Sequence, residues 1–293
     1  MTVTPSAPAT DVPPRGTTAS RAAVVATKPA DGLATLGEQL AFYARVVASM
    51  PRTLAHYPKE TLRILSDVFF GSGALAVIGG TLGVMIGMTV FTGLIVGLQG
   101  YSALNQLGTS ALTGFIAAYF DTREVAPLAA GLALSATVGC GFTAQLGAMR
   151  ISEEIDALEV MAVPSLPYLV TTRVLAAVAA VIPLYLVGLL CSYVASRQIT
   201  VWFYGQSAGT YDHYFHLFLP PEDVLWSFLK VIVFSVVVIM VHCYYGYTAT
   251  GGPAGVGVAV GRAVRAAIVL QMLLDFFLSL AIWGATTTVR IAG

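Results

Sequence analysis

The chain has 293 residues, 57% hydrophobic and only 10% charged, with 15 basic and 15 acidic side chains and a mean hydropathy of +0.80. A soluble domain is about a quarter charged, so this composition excludes an ordinary water-soluble globule, and the net charge of zero excludes the basic field that nucleic-acid binding needs. Cys140, Cys191 and Cys243 stand singly in apolar stretches, the pattern of small buried hydrophobes rather than of a disulfide frame or a metal site.

In chain order, residues 1–31 are rich in Pro, Ala, Thr and Ser and predict a disordered tail. Residues 32–70 mix apolar and basic residues, with Leu36, Leu40, Tyr43 and Val47 at spacings of three and four. That stripe predicts an amphipathic segment lying in the membrane interface, broken at Pro51 and Pro58. Residues 71–293 hold long apolar runs. Asp, Glu, Lys and Arg are absent between Asp67 and Asp121, Glu124 and Arg150, Arg173 and Arg197, and Lys230 and Arg262. Each run is long enough to cross the hydrocarbon core, which takes about 20 residues. Lipid leaves bare backbone amides unsatisfied, so spans must be helices or a closed barrel, and runs without strict alternation favour helices.

The expected fold is therefore all-α and integral to the membrane, with five spans. The first covers about Ser72–Ala103, where Gly79, Gly83 and Gly87, and then Gly93 and Gly97, repeat the GxxxG spacing that lets helices approach in lipid. The second runs from about Leu107 to Leu146 and is expected to bend or break near Pro127. A short polar connector follows, about 151–163, and then the third span, Tyr168–Ala195. Gln198–Asp223 is expected to be an aromatic loop, contacting a partner or forming an interfacial belt. The fourth span is about Leu225–Tyr247. A Gly-rich turn, Gly251–Gly261, leads into the fifth, about Ala266–Ala285. Seven of the 15 basic residues precede Val68, and Arg150, Arg173, Arg262 and Arg265 flank loops on that same side. The positive-inside rule puts the N-terminus in the cytoplasm and the C-terminus on the opposite side of the membrane.

The connector reads Met149-Arg-Ile-Ser-Glu-Glu-Ile-Asp-Ala-Leu-Glu-Val-Met161. Ser152 suits an N-cap, and Glu153 and Glu154 suit the positive end of a helix dipole. It predicts a short acidic helix that docks into a soluble partner or serves as a solvated connector. Arg123, Glu124, Lys230 and Asp275 lie at or near membrane depth, where an unpaired charge is costly. They form either a polar network near a transport path or salt-bridged packing.

Arg123-Glu-Val-Ala-Pro127, Ala144-Gln-Leu-Gly-Ala-Met149, the EEIDAL run from Glu153, Gly252-Pro-Ala-Gly-Val-Gly-Val-Ala259 and Leu274-Asp-Phe276 together resemble the MlaE/YrbE permease family. The likeness extends from about Gly37 to Ala285. It implies the membrane subunit of an ABC transporter that moves lipids (fatty or mycolic acids, or sterols) with Mce-domain proteins. It also implies a separate ATPase subunit that binds ATP and magnesium, leaving this chain without a cofactor or catalytic residue. Glu153, Glu154, Ile155, Asp156, Leu158 and Glu159 would make the ATPase-coupling contact. Gln145 stands where the family pattern has an acid. With Tyr211-Asp-His-Tyr-Phe215, that departure resembles the B-type YrbE subunit of actinobacterial Mce systems and implies a heterodimer with an A-type sister.

The sequence has no P-loop and no HExxH. A hydrolase built on Ser72 with His242 as base would need both within about 3 Å of each other. An ion-coupled secondary transporter using Glu124 and Asp275 is the alternative from another class.

Overall fold

A computed structural model describes residues 18–70 and 80–284, and every regular element among them is helical. The chain divides into two units, residues 1–44 and 45–293. In order, α1 spans Thr18–His56, α2 Pro58–Phe70, α3 Thr81–Gln106, α4 Ser110–Ile151, α5 Glu154–Val160, α6 Leu166–Phe203, α7 Ala208–Leu217, α8 Pro221–Tyr247 and α9 Gly252–Trp283. Five of these, α3, α4, α6, α8 and α9, are long and apolar enough to cross a membrane. The protein is thus an all-α integral membrane protein. Residues 1–17, and Ser72 and Gly79 at the start of the expected first span, lie outside the described residues.

Four local expectations are corrected. Pro51 does not interrupt α1, and the break falls only at Tyr57. Near that proline Ser49 Oγ donates to Val46 O (2.8 Å) and Thr53 Oγ1 to Ser49 O (3.0 Å). The second span is not broken at Pro127. Instead α4 widens into π-helix over Ala117–Val125 and Ser135–Gly139, so the chain passes the proline without leaving the helix. The expected aromatic loop is mostly helical, because α6 continues to Phe203 and α7 buries Tyr211 and Phe215 on one face. The Gly-rich turn shrinks to a short link ending at Gly251, whose φ of 87° suits glycine, and Gly252–Gly261 already belongs to α9.

The spans pack through small residues. A Cβ at Gly93 of α3 would strike the backbone of Ser192 on α6, and one at Gly97 would lie 2.8 Å from Ser196 O. Gly87 meets nothing within 4 Å among the described residues, whereas Gly93 and Gly97 make close approaches to α6. Helix α2 also packs on α6, while α8 packs on α6, α9 and the second half of α4. These contacts put α4 and α8 side by side, which positions the charged residues.

Candidate functional site

The wide turn of α4 presents three ionisable side chains, Asp121, Arg123 and Glu124, within one π-helical segment. Its i→i+5 pattern is visible in the Ala126 N–H donating to Asp121 O. Pro127 has no N–H, so the carbonyl four residues back, that of Arg123, is left without its helical donor. Lys230 of α8 takes that place, its Nζ lying 2.7 Å from Arg123 O.

Lys230 is fully buried. Its ammonium also reaches Asp275 Oδ1 on α9 (2.6 Å), Glu124 Oε2 (3.1 Å) and Ser279 Oγ (2.7 Å). Ser279 Oγ in turn donates to Glu124 Oε1 at 2.8 Å. One cation therefore joins carboxylates from two other spans, an arrangement that compensates charge where water is scarce. Lys230 stands nine residues into α8 and Asp275 eight before the end of α9, roughly 12–14 Å along each axis. The cluster thus lies inside the spans, nearer the end of the bundle that carries α7.

Three of the four expected network residues, Glu124, Lys230 and Asp275, come together. Arg123 pairs elsewhere, its Nε and Nη2 donating to Asp223 Oδ2 at 2.9 and 2.6 Å. The guanidinium lies 4.1 Å from the Tyr119 ring centroid and 5.0 Å from that of Trp283, and Trp283 Nε1 donates to Asp223 Oδ1 at 2.9 Å. Sequence reasoning missed Asp223, Ser279 and Trp283. Their signal was helical spacing: Asp223 is seven residues before Lys230, and Asp275, Ser279 and Trp283 recur every four residues.

At the other end, α5 is a short helix between α4 and α6. Ser152 is not its N-cap. The chain turns at Glu153 with φ 61°, and Ser152 Oγ donates back to Ala148 O (3.0 Å) and to Glu154 Oε1 (2.9 Å). Asp156 pairs with Arg150 at 2.7 Å, and Glu159 Oε1 accepts from Ser165 Oγ at 2.5 Å. Ile155 is fully buried within this chain and faces inward, and Leu158 is half-buried. Glu153, Glu154, Asp156 and Glu159 are exposed. So are Val160 (88%) and Met161 (65%), two apolar side chains the sequence reading left out.

His242 is buried between hydroxyls, with Nε2 2.9 Å from Ser135 Oγ and Nδ1 2.9 Å from Thr143 Oγ1. It is a hydrogen-bonded packing residue, and Ser72 lies outside the described residues. On α7, Asp212 meets Arg197 in two parallel 2.8 Å hydrogen bonds, which hold its carboxyl below the usual aspartate range.

Residues 70–281 match the family model for the permease MlaE. A probable ABC transporter permease protein of Rickettsia bellii is 28% identical over 219 residues, covering 75% of this chain and 82% of that protein. The Arabidopsis thaliana protein TRIGALACTOSYLDIACYLGLYCEROL 1, chloroplastic, is 30% identical over 199 residues, covering 68% of this chain and 57% of that protein. The intermembrane phospholipid transport system permease protein MlaE of Haemophilus influenzae is 27% identical over 197 residues, covering 67% of this chain and 76% of that protein.

Proposed function

This chain belongs to the MlaE permease family, and from that premise we propose that it is the membrane subunit of an ATP-driven transporter of lipids. It is a multi-pass inner-membrane permease of the ABC type. The observation that carries the lipid reading is the Lys230–Glu124–Asp275 cluster. It is a charged site within the spans, in which Glu124 keeps 34% of its side chain exposed. Such a site receives a polar headgroup while apolar span surfaces accept the acyl or ring portion.

The ATPase is a separate subunit that supplies ATP and magnesium chemistry, and α5 is its contact. Glu153, Glu154, Asp156, Leu158 and Glu159 rim that contact, while buried Ile155 anchors the helix from behind. Val160 and Met161 supply its apolar centre, since exposed apolar side chains on a polar-faced connector suit a groove in a soluble partner. We place α5 and the N-terminal segment in the cytoplasm, following the basic residues, and α7 outside. There α7 meets Mce-domain partners. Leu36, Leu40 and Val47, exposed on α1, lie against the lipid interface. The sister subunit is an A-type YrbE chain. Transported lipids are fatty or mycolic acids, or sterols. An ion-coupled carrier using Glu124 and Asp275 as its ion-binding carboxyls would have to free both from Lys230.

The test is affinity purification in mild detergent of wild type and of the Val160→Asp, Met161→Asp double variant. Wild type should retain an ATPase subunit, and the variant should lose it while keeping its other partners. Equal ATPase retention in both would remove α5 as the contact.

A further inference from the structure

On the same π-helical segment as the cluster, Asp121 turns the other way, towards α6. It is 0% exposed, and among the described residues neither carboxyl oxygen has a partner in hydrogen-bond geometry. The charged groups around it are already committed. On its own helix Arg123 is bound to Asp223 and Glu124 to Lys230; from α8 come those same Asp223 and Lys230. From α6 and α7, Arg197 and Asp212 pair with each other, and the tyrosines facing Asp121 are Tyr185 and Tyr193 of α6 and Tyr211 of α7. Helix α3, packed across this segment, has no charged residue between Thr81 and Gln106. An ionised carboxylate in that setting would be a buried anion with no cation, a costly arrangement that favours the neutral form.

A neutral carboxyl needs one acceptor for its O–H and offers acceptor capacity of its own. Ser192 and Ser196 of α6 lie against it, and among the described residues Ser192 Oγ is likewise buried without a partner in hydrogen-bond geometry. Ser196 Oγ is 2.9 Å from Tyr211 Oη. Tyr211 lines a pocket of about 320 Å³ at the α7 end of the bundle, together with Tyr193, Arg197, Asp212, Phe215 and His216. Tyr211 Oη and Ser196 Oγ therefore stand between the side chains of that pocket and the buried acid.

We propose that Asp121 is a proton-binding site, filled and emptied from the α7 side through the hydroxyls of Tyr211 and Ser196. Each hydroxyl passes one proton on and receives one, so both end unchanged while Asp121 gains the proton that water in the pocket gives up. The ligand is a proton rather than a metal ion, because the neighbours are hydroxyls and, among the described residues, no second carboxylate joins Asp121 in a metal-binding group. The site is separate from the Lys230 cluster, and its proton occupancy follows the acidity on the α7 side.

Infrared spectroscopy of the full chain in lipid nanodiscs tests this. At neutral pH, wild type should show a protonated-carboxyl C=O band that Asp121→Asn lacks. Transfer to heavy water should shift that band, and Tyr211→Phe should slow the shift at least tenfold without changing the band's size. If Asp121→Asn does not fold, wild type and Tyr211→Phe carrying isotope-labelled aspartate give the same comparison. Absence of a neutral aspartate band overturns the proposal. So does sodium- or potassium-dependent loss of the band, which would make the site a cation site, and so does an exchange rate indifferent to Tyr211→Phe.

Discussion

Removing the Lys230 ammonium would leave Glu124 and Asp275 facing each other across α4 and α9 without the cation that joins them. Breaking a buried ion pair by deleting one partner costs about 3–5 kcal/mol, because the remaining charge stays buried. Lys230→Ala should therefore lower Tm in detergent by roughly 10 °C, taking about 3 °C per kcal/mol. Asp275→Asn leaves a one-to-one Lys230–Glu124 pair and should cost clearly less. Equal losses would mean that Lys230 is held mainly by its bonds to Arg123 O and Ser279 Oγ. At this scale the sequence was legible where a charge interrupted an apolar run, as at Glu124, Lys230 and Asp275. It was not legible at Asp223, which lies among the polar residues before α8 and looked like loop. Only the three-dimensional approach of α4 to α8 pairs it with Arg123.

Helices meet in lipid by backbone proximity rather than by hydrophobic force, and that distinguishes two glycines on α3. Gly93→Leu would drive a side chain into the Ser192 backbone of α6, whereas Gly87→Ala enters open space. The first should reduce detergent-extracted folded protein severalfold and the second should leave it unchanged, as size-exclusion chromatography of the two variants would report. Sequence spacing marked both glycines alike, because GxxxG identifies a helix face without naming its neighbour. Span number and approximate position were readable from hydropathy. The π-helical stretches of α4 were not, since i→i+4 and i→i+5 bonding draw on the same residue types. Their trace in the sequence was the coincidence of Pro127 with a dense group of charges just before it. The helical character of Gly252–Gly261 was masked by glycine content, which reads as a turn in water but is tolerated in membrane helices.

Taken whole, the molecule separates its polar chemistry by end. The acidic connector α5 with exposed Val160 and Met161 is at one end, while the Lys230 cluster and Asp121 lie nearer the other, under α7. Helix α5 joins α4 and α6, which also carry the π-helical segments. Segments of that kind are common at functional positions. Composition and motif alone gave the class of molecule, because burial of so many apolar residues without a polar surface has few solutions. The partners and cargo do not reside in this chain and so leave only indirect marks in it. The central claim, ATP-driven movement of lipid, is tested most directly in proteoliposomes holding this chain with its co-purified subunits and a fluorescent lipid. Lipid movement should require ATP, stop with Val160→Asp, Met161→Asp, and ignore imposed proton or sodium gradients. Movement that proceeds without ATP and follows an ion gradient would contradict the account.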